Sequence, residues 1–356
     1  MSLSKRLIST DAAGGADGST NFAPVIWTGT GASQSISSLS FAPDLIWVKQ
    51  RSGTRDHIIA DTVRGPSTNL NLLYPYGTFA ESTSVGSEFI RSIQSNGFTI
   101  GNHVYVSELN ETYVAWCFKA GGSAVSNTDG AITSTVSANT AAGFSIVSLD
   151  KPNLNTDTYG HGLNSAPEMI ILKRLASSDD WHVYQKDLGN TVRISLNSNA
   201  AKVTGTGVWG STTPTDSVFT LQNQTGGAHI AYCFHSVAGY QKIGTYTGNT
   251  SSYPRVYTTD DGTSTGANGF MPRFLMIKNY NAVYHWAIYD NAREPITSEG
   301  ESREKQLYPN TTQIENGNLF GDPAGRIDFY NDGFQPQAAL GNINQNGGSF
   351  IYLAIA

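Results

Sequence analysis

The chain has 356 residues, of which only 14% are charged, and its formal net charge is -6. This balance argues against a nucleic-acid binder, because phosphate recognition normally needs clusters of basic residues. Two cysteines cannot supply a disulfide framework, so the stability of the fold must come from burial of apolar surface. No apolar run approaches the roughly twenty residues that span a bilayer, and no signal-peptide core follows the basic start. We therefore expect synthesis in a cytoplasm without membrane insertion.

Residues 1–21 are predicted to form a flexible N-terminal arm. The segment is rich in Gly, Ala, Ser and Asp and too poor in apolar residues to build a core. We expect it to become ordered only against a partner. The residues expected to dock it are Lys5, Arg6, Leu7 and Ile8.

An internal repeat dominates the rest of the chain. Three segments share Pro, one polar residue, four large apolar residues and then Lys. They read Phe41-Ala-Pro-Asp-Leu-Ile-Trp-Val-Lys49, Ser165-Ala-Pro-Glu-Met-Ile-Ile-Leu-Lys173 and Phe270-Met-Pro-Arg-Phe-Leu-Met-Ile-Lys278. The distance from Pro to Lys is the same in all three, from 43 to 49, 167 to 173 and 272 to 278.

A second shared segment closes each copy. The three segments are Tyr113-Val-Ala-Trp-Cys-Phe118, His229-Ile-Ala-Tyr-Cys-Phe234 and Phe350-Ile-Tyr-Leu-Ala-Ile355. Alternate side chains of a strand point to opposite faces, and both faces are apolar here. The pattern predicts a central strand in a two-layer packing. Ala354 replaces the cysteine in the third copy, which indicates that Cys117 and Cys233 are small apolar residues without a chemical role.

These patterns predict an all-β protein with three tandem divergent β-sandwich repeats of jelly-roll-like type. The 37 Gly and the Asn-Gly and Asp-Gly pairs at Asn96 and Asp332 indicate strands joined by tight turns. The predicted boundaries are an arm at 1–21, a first repeat at 22–120, a linker at 121–130, a second repeat at 131–238 and a third at 239–356.

Two polar features recur in every copy. Lys49, Lys173 and Lys278 could bind an anionic glycan or a neighbouring subunit, but we favour a structural role with the charge carried into water. A histidine follows in each copy, at His57, His182 and His285. It could be a general base beside a carboxylate, but we favour half-buried packing beside strand aromatics, since no nucleophile recurs with it.

No catalytic residue, cofactor site or metal site is predicted. The run Asp260-Asp261-Gly-Thr-Ser-Thr265 offers oxygen ligands but lacks the alternating spacing of a calcium loop, so we interpret it as a turn.

Loop tyrosines are the candidate recognition surface. Tyrosine among small polar residues makes good contact surface, because its amphipathic ring loses little entropy on binding. Such rings also suit stacking on sugars. The alternative is that they fill contacts between repeats. The candidates are Tyr74, Tyr76, Tyr159, Tyr253, Tyr280, Tyr284 and Tyr308.

The first repeat resembles a repeat domain of virion and tail-fibre proteins from marine and cyanobacterial tailed phages. The resemblance rests on Phe41–Lys49, on the run Arg55-Asp-His-Ile-Ile-Ala-Asp-Thr-Val-Arg-Gly65, on Ser95–Gly101 and on Tyr113–Gly122. It is close over 22–122 and weaker over the other two copies, of which the third lacks the Cys and the Gly-Gly exit. The resemblance carries no catalytic residues.

What the resemblance implies is a structural component of a virion, made in the host cytoplasm and placed in a tail fibre or tail appendage. The expected partners are other virion proteins through the arm, further copies of the chain (a trimer by analogy) and a host receptor or surface glycan. One alternative is a capsid decoration or head-fibre protein. Another is a tailspike-type polysaccharide-degrading enzyme.

Overall fold

The computed structural model describes residues 18–83, 86–152, 156–205, 207–315 and 326–356. The regular elements of these residues are strands, apart from two helices of four residues each and one 3₁₀ turn, so the all-β prediction is confirmed. The predicted docking residues Lys5, Arg6, Leu7 and Ile8 lie outside the described residues.

The first repeat begins with one short helix and contains the second. Its elements are α1 (Gly18–Asn21), β1 (Phe22–Thr28), β2 (Gln34–Ile36), β3 (Leu45–Gln50), β4 (Ile58–Asp61), a 3₁₀ turn (Gly86–Glu88), β5 (Ile90–Gln94), β6 (Gly97–Ile100), α2 (Val104–Ser107) and β7 (Thr112–Phe118).

The second repeat adds a hairpin before its equivalent of β1. Its strands are β8 (Val125–Asn127), β9 (Ser134–Asn139), β10 (Phe144–Lys151), β11 (Asp157–Gly160), β12 (Met169–Arg174), β13 (Trp181–Gln185), β14 (Val192–Ser195), β15 (Val203–Thr204), β16 (Val218–Leu221) and β17 (Gly227–Phe234).

The third repeat ends on the last strand of the chain. Its strands are β18 (Gln241–Thr247), β19 (Val256–Tyr257), β20 (Phe274–Asn279), β21 (Ala287–Asp290), β22 (Ser302–Arg303), β23 (Ile327–Tyr330), β24 (Gly333–Pro336) and β25 (Ser349–Ile355).

Each repeat contains one main antiparallel sheet with the same strand order. The orders are β1-β7-β3-β4, β10-β17-β12-β13 and β18-β25-β20-β21, and the second is extended by β14 and β15 at one edge and by β9 and β8 at the other. The register is also the same, because Lys49 pairs with Val114, Lys173 with Ile230 and Lys278 with Ile351. The predicted Pro-to-Lys segments therefore occupy equivalent positions in three equivalent sheets.

A smaller sheet covers one face of each main sheet. These sheets are β2-β6-β5, β11-β16 and β19-β24-β23-β22. Their tight turns follow the predicted chemistry. Gly97 has a φ of 152°, and a Cβ there would lie 1.8 Å from the carbonyl oxygen of Ile36. Gly333 has a φ of 155° and faces the Val256 oxygen in the same way, so only glycine fits at either position.

The other faces of the three main sheets meet in one shared core. On β7, Tyr113, Ala115 and Cys117 pack inside the first repeat, whereas Trp116 and Phe118 face the shared core. Phe118 contacts Phe144 and Phe234 of the second repeat and Phe274 of the third. The prediction that both faces of this strand are buried is confirmed, and the second buried face belongs to the contact between repeats.

The segment predicted as a linker, 121–130, contains regular structure. Strand β8 lies within it and pairs with β9 at the edge of the second main sheet. Gly121 also approaches this sheet, since its amide donates to the Ser137 hydroxyl at 2.9 Å. Its Gly and Ser content reflects close backbone contact rather than a free connection.

Because the repeats share a core, we expect a cavity in one repeat to weaken all three. Phe234→Ala removes a ring whose centroid lies 4.9 Å from that of Phe144 and 6.1 Å from that of Phe118. The substitution should lower the free energy of unfolding by about 3–5 kcal/mol. Hydrogen exchange should rise in β3 and β20 as well as in β17. The exposed Val203→Ala is the control, and unchanged protection of β3 and β20 in Phe234→Ala would contradict a shared core.

Candidate functional site

Each repeat sends one loop onto the next repeat, and we call the segments 74–81, 195–202 and 308–315 the bridging loops. The amide of Glu81 donates to the Leu175 oxygen at 2.9 Å, and the amide of Lys202 donates to the Tyr280 oxygen at 2.7 Å. The third loop returns to the first repeat, where the amide of Glu315 donates to the Arg51 oxygen at 2.8 Å. The three contacts are equivalent, and together they close the repeats into a ring.

The three repeated lysines fasten these bridging loops. Lys49 Nζ donates to the Thr312 oxygen at 3.3 Å, Lys173 Nζ to the Thr78 oxygen at 3.2 Å and Lys278 Nζ to the Asn199 oxygen at 3.1 Å. Each lysine also donates to carbonyls of its own repeat. These bonds link the first repeat to the third, the second to the first and the third to the second.

The prediction that these lysines carry their charge into water is therefore wrong. All three side chains are fully buried. Burial lowers the pKa of Lys49 and Lys278 to about 7 and that of Lys173 to about 8. Nearby carboxylates, Asp56 and Glu315 for Lys49, act in the opposite direction. The carbonyl oxygens around each ammonium also favour the charged form.

Replacing one of these lysines should weaken the ring. Lys173→Met keeps the apolar stem but removes the ammonium that donates to the Asp179 carbonyl, and it leaves the Thr78 carbonyl with the Asp179 amide alone. A buried acceptor without a partner costs about 1–3 kcal/mol, which should appear as a lower denaturant midpoint. Lys186→Met is the control, since that side chain is 42% exposed. Equal stability of the two variants would contradict the structural role of Lys173.

Ring nitrogens make a second set of equivalent contacts. Trp181 Nε1 donates to the Tyr74 oxygen at 3.1 Å and Trp286 Nε1 to the Ser195 oxygen at 3.0 Å. His57 occupies the same position in the first repeat, where its Nε2 faces the Tyr308 carbonyl outside normal hydrogen-bond geometry. Its Nδ1 accepts from Trp47 Nε1 at 3.1 Å, so the neutral ring carries its proton on Nε2.

The three histidines differ in burial and in their partners. Burial holds the pKa of His57 well below its usual value, with Lys49 acting in the same direction. Burial and Arg193 lower the pKa of His182 to about 4, which makes it a weak base. His285 is half-buried, and its Nδ1 lies 2.6 Å from Asn310 Nδ2. The prediction of half-buried packing therefore fits His285, whereas His57 and His182 are buried.

Neutral buried histidines predict acid sensitivity. A histidine whose pKa is lowered in the folded state takes up its proton only on unfolding, so stability falls as pH drops below about 6.5. The loss is about 1.4 kcal/mol per pH unit for each such group. We expect the free energy of unfolding of wild type to be lower at pH 5 than at pH 7. His57→Gln should show a smaller difference, and an unchanged difference would contradict the assignment of His57.

Metal and thiol chemistry have no support among the described residues. No group of three or more His, Cys, Asp and Glu residues there could hold a metal ion. Asp261 accepts from the amide and hydroxyl of Thr263, both at 2.9 Å, as in a turn. Cys117 and Cys233 are free and buried, and burial raises the pKa of both thiols.

Two polar clefts lie on the second and third repeats. One of about 370 Å³ is lined by Asp179, Asp180, His182 and Arg193. The other, of about 390 Å³, lies between the two repeats, beside Lys242 and Arg255. Each cleft contains one ion pair, since Arg193 lies 3.4 Å from Asp180 and Arg255 pairs with Asp332.

The structure divides the predicted tyrosines into two groups. Tyr159 and Tyr308 are buried, so their assignment to a recognition surface is wrong. Tyr159 packs in the core of the second repeat, and Tyr308 donates to Gln306 at 2.6 Å. The half-buried ones, which lie in three different places, are Tyr74, Tyr76, Tyr253, Tyr280 and Tyr284.

The first bridging loop brings two of the predicted tyrosines together. Tyr74 and Tyr76 lie 6.1 and 5.6 Å from Phe79, measured between ring centroids. Asp56 accepts from the Tyr76 hydroxyl at 2.9 Å and from the Tyr105 hydroxyl at 2.6 Å. We call these four rings and this carboxylate the aromatic surface.

Sequence reasoning missed three members of this surface, Phe79, Tyr105 and the accepting role of Asp56. Phe79 is 51% exposed. Its loop offered a signal, because Tyr74-Pro-Tyr-Gly-Thr-Phe79 concentrates three aromatic residues beside Gly and Pro. A Cβ at Gly77 would lie 2.4 Å from the Phe79 ring, so glycine makes room for it.

A family model described as a domain of unknown function (DUF7483) matches residues 17–356. The chain therefore belongs to this family. No curated protein and no solved structure matches the chain. Among the described residues, no helix has the length and apolar character needed to cross a membrane.

Proposed function

We propose that the protein is a structural component of a tailed-phage virion, located in a tail fibre or tail appendage. The observation that carries the proposal is the closed ring of three repeats, whose repeated polar residues serve the contacts between repeats. Such a ring is a rigid body that presents loops from fixed positions. The resemblance of residues 22–122 to phage virion repeats supports the same function.

In this proposal the N-terminal segment attaches the ring to other virion proteins. The family match begins at residue 17, so residues 1–16 precede the matched domain. The ring then presents its loops to the host surface. Further copies of the chain can assemble around the same attachment point.

Labelling of particles tests the proposed location. An antibody raised against the ring should label tails of intact phage in electron micrographs. Label on the head would support capsid decoration or a head fibre instead of a tail appendage. Particles without label, and without the chain in their protein composition, would refute the proposal.

Removal of residues 1–16 tests the attachment. We expect the truncated chain to keep the circular-dichroism spectrum and melting temperature of the full chain, because the matched domain is intact. It should be absent from particles assembled in its presence, whereas full-length Val283→Ala should be incorporated normally. Normal incorporation of the truncated chain would contradict attachment through this segment.

A further inference from the structure

The aromatic surface lies where the first repeat departs from the other two. At one position of the bridging loops, the second and third repeats have asparagine. The Oδ1 of Asn197 accepts from the amide of Trp181 at 2.9 Å, and that of Asn310 from the amide of Trp286 at 3.2 Å. The first repeat has Tyr76 there, and its hydroxyl donates instead to Asp56. The first repeat therefore has a half-exposed tyrosine ring where the other two repeats have an asparagine that holds the loop.

A second departure lies three residues further along the loop. Phe79 is half exposed, whereas the equivalent positions hold Ala200 and Gln313. The hydrogen bonds that hold this loop on the second repeat do not involve the Phe79 side chain. The Thr78 oxygen accepts from Lys173 Nζ at 3.2 Å and from the Asp179 amide at 2.8 Å. The exposed ring is therefore held on a loop that is already fixed, which lowers the entropy cost of binding.

Asp56 supplies a polar group beside the rings. Its Oδ2 accepts from the hydroxyls of both Tyr76 and Tyr105. Its Oδ1 has no hydrogen-bond partner among the residues that the structure describes, so this oxygen can accept from a ligand. Half-exposed rings next to an available acceptor combine an apolar contact with a directional polar one.

We propose that the aromatic surface binds a neutral sugar ring of a surface polysaccharide. Phe79 and Tyr76 stack on the apolar C–H face of the sugar, and Asp56 Oδ1 accepts from one of its hydroxyls. The Asp56 carboxylate disfavours uronic or sialic acids by charge repulsion. The inference rests on the proposed function for its biological setting, as a contact with the host surface.

Titration of the full chain with defined saccharides tests the inference. The probes are maltohexaose, cellohexaose, mannohexaose and hexagalacturonate. Binding is measured by calorimetry and by NMR. At least one neutral hexaose should bind with a dissociation constant on the order of millimolar, and hexagalacturonate should bind more weakly. Phe79→Ala and Tyr76→Asn should each weaken binding about tenfold or more.

Both variants introduce into the first repeat the residue that the second repeat has at the equivalent position, since Ala200 corresponds to Phe79 and Asn197 to Tyr76. Their melting temperatures confirm folding. Val283→Ala removes another exposed side chain, 63% accessible, and should leave binding unchanged. Failure of all three neutral hexaoses to bind, or equal affinity of Phe79→Ala and wild type, would overturn the inference, as would tighter binding of hexagalacturonate.

The two proposals can fail separately. Particles that contain the chain while the chain binds none of these saccharides would refute the sugar site alone. Sugar binding by a chain that is missing from particles would refute the virion function alone.

Discussion

Every main sheet is buried on both faces, and the rest of the structure depends on this constraint. A sheet that is covered on one side by its own small sheet leaves a second apolar face, which a single repeat cannot cover. Val114, Trp116 and Phe118 form that second face in the first repeat, and equivalent strands of the other repeats cover it. Burial then has a cost, because strand ends and loops that enter the interface bring backbone carbonyls with them. The three lysines meet this cost by donating to those carbonyls.

The shared core explains how the repeats could diverge in sequence while their registers stayed identical. Each repeat contributes three side chains from equivalent strand positions to the shared core. Where one of the three side chains in a repeat is small, the other two are larger, and such compensation in volume keeps a core densely packed. The sets are His57, Trp47 and Trp116 in the first repeat, Trp181, Ile171 and Tyr232 in the second, and Trp286, Met276 and Leu353 in the third. Polar pairs change together in the same way. Tyr232 donates to Asp61 and Trp116 to Asp290. At the equivalent positions of the remaining pair of repeats the sequence has Leu353 and Gln185, and Gln185 donates to Asp187 in its own turn.

Local patterns in the sequence predicted what depends on local physics. The alternation of side chains predicted that both faces of β7 are buried, and the Asn-Gly and Asp-Gly pairs predicted the turns at Gly97 and Gly333. Both predictions succeeded because side-chain direction and positive φ are properties of short segments. The burial of Lys49 could not be predicted in this way, since the carbonyl of Thr312 that it meets lies 263 residues away in the chain. Tyr308 was misassigned because a tyrosine among polar residues looks exposed in the sequence, whereas its ring packs against His285, 23 residues earlier, and its hydroxyl donates to Gln306. Tyr105 and the accepting role of Asp56 were missed because they lie 49 residues apart in the chain and meet only in the fold.

A ring made of one chain can do what a ring of three identical chains cannot. In a homotrimer every loop occurs three times, so a binding loop must also be a good structural loop at each joint. Here the three bridging loops differ in sequence, and the second and third keep their asparagines at Asn197 and Asn310 while the first carries the aromatic residues. The three repeats of one chain thus already form a closed threefold arrangement without further copies. In the function proposed above, assembly of further copies has a different purpose: several weak sugar contacts made together by linked chains bind a surface much more tightly than one contact alone.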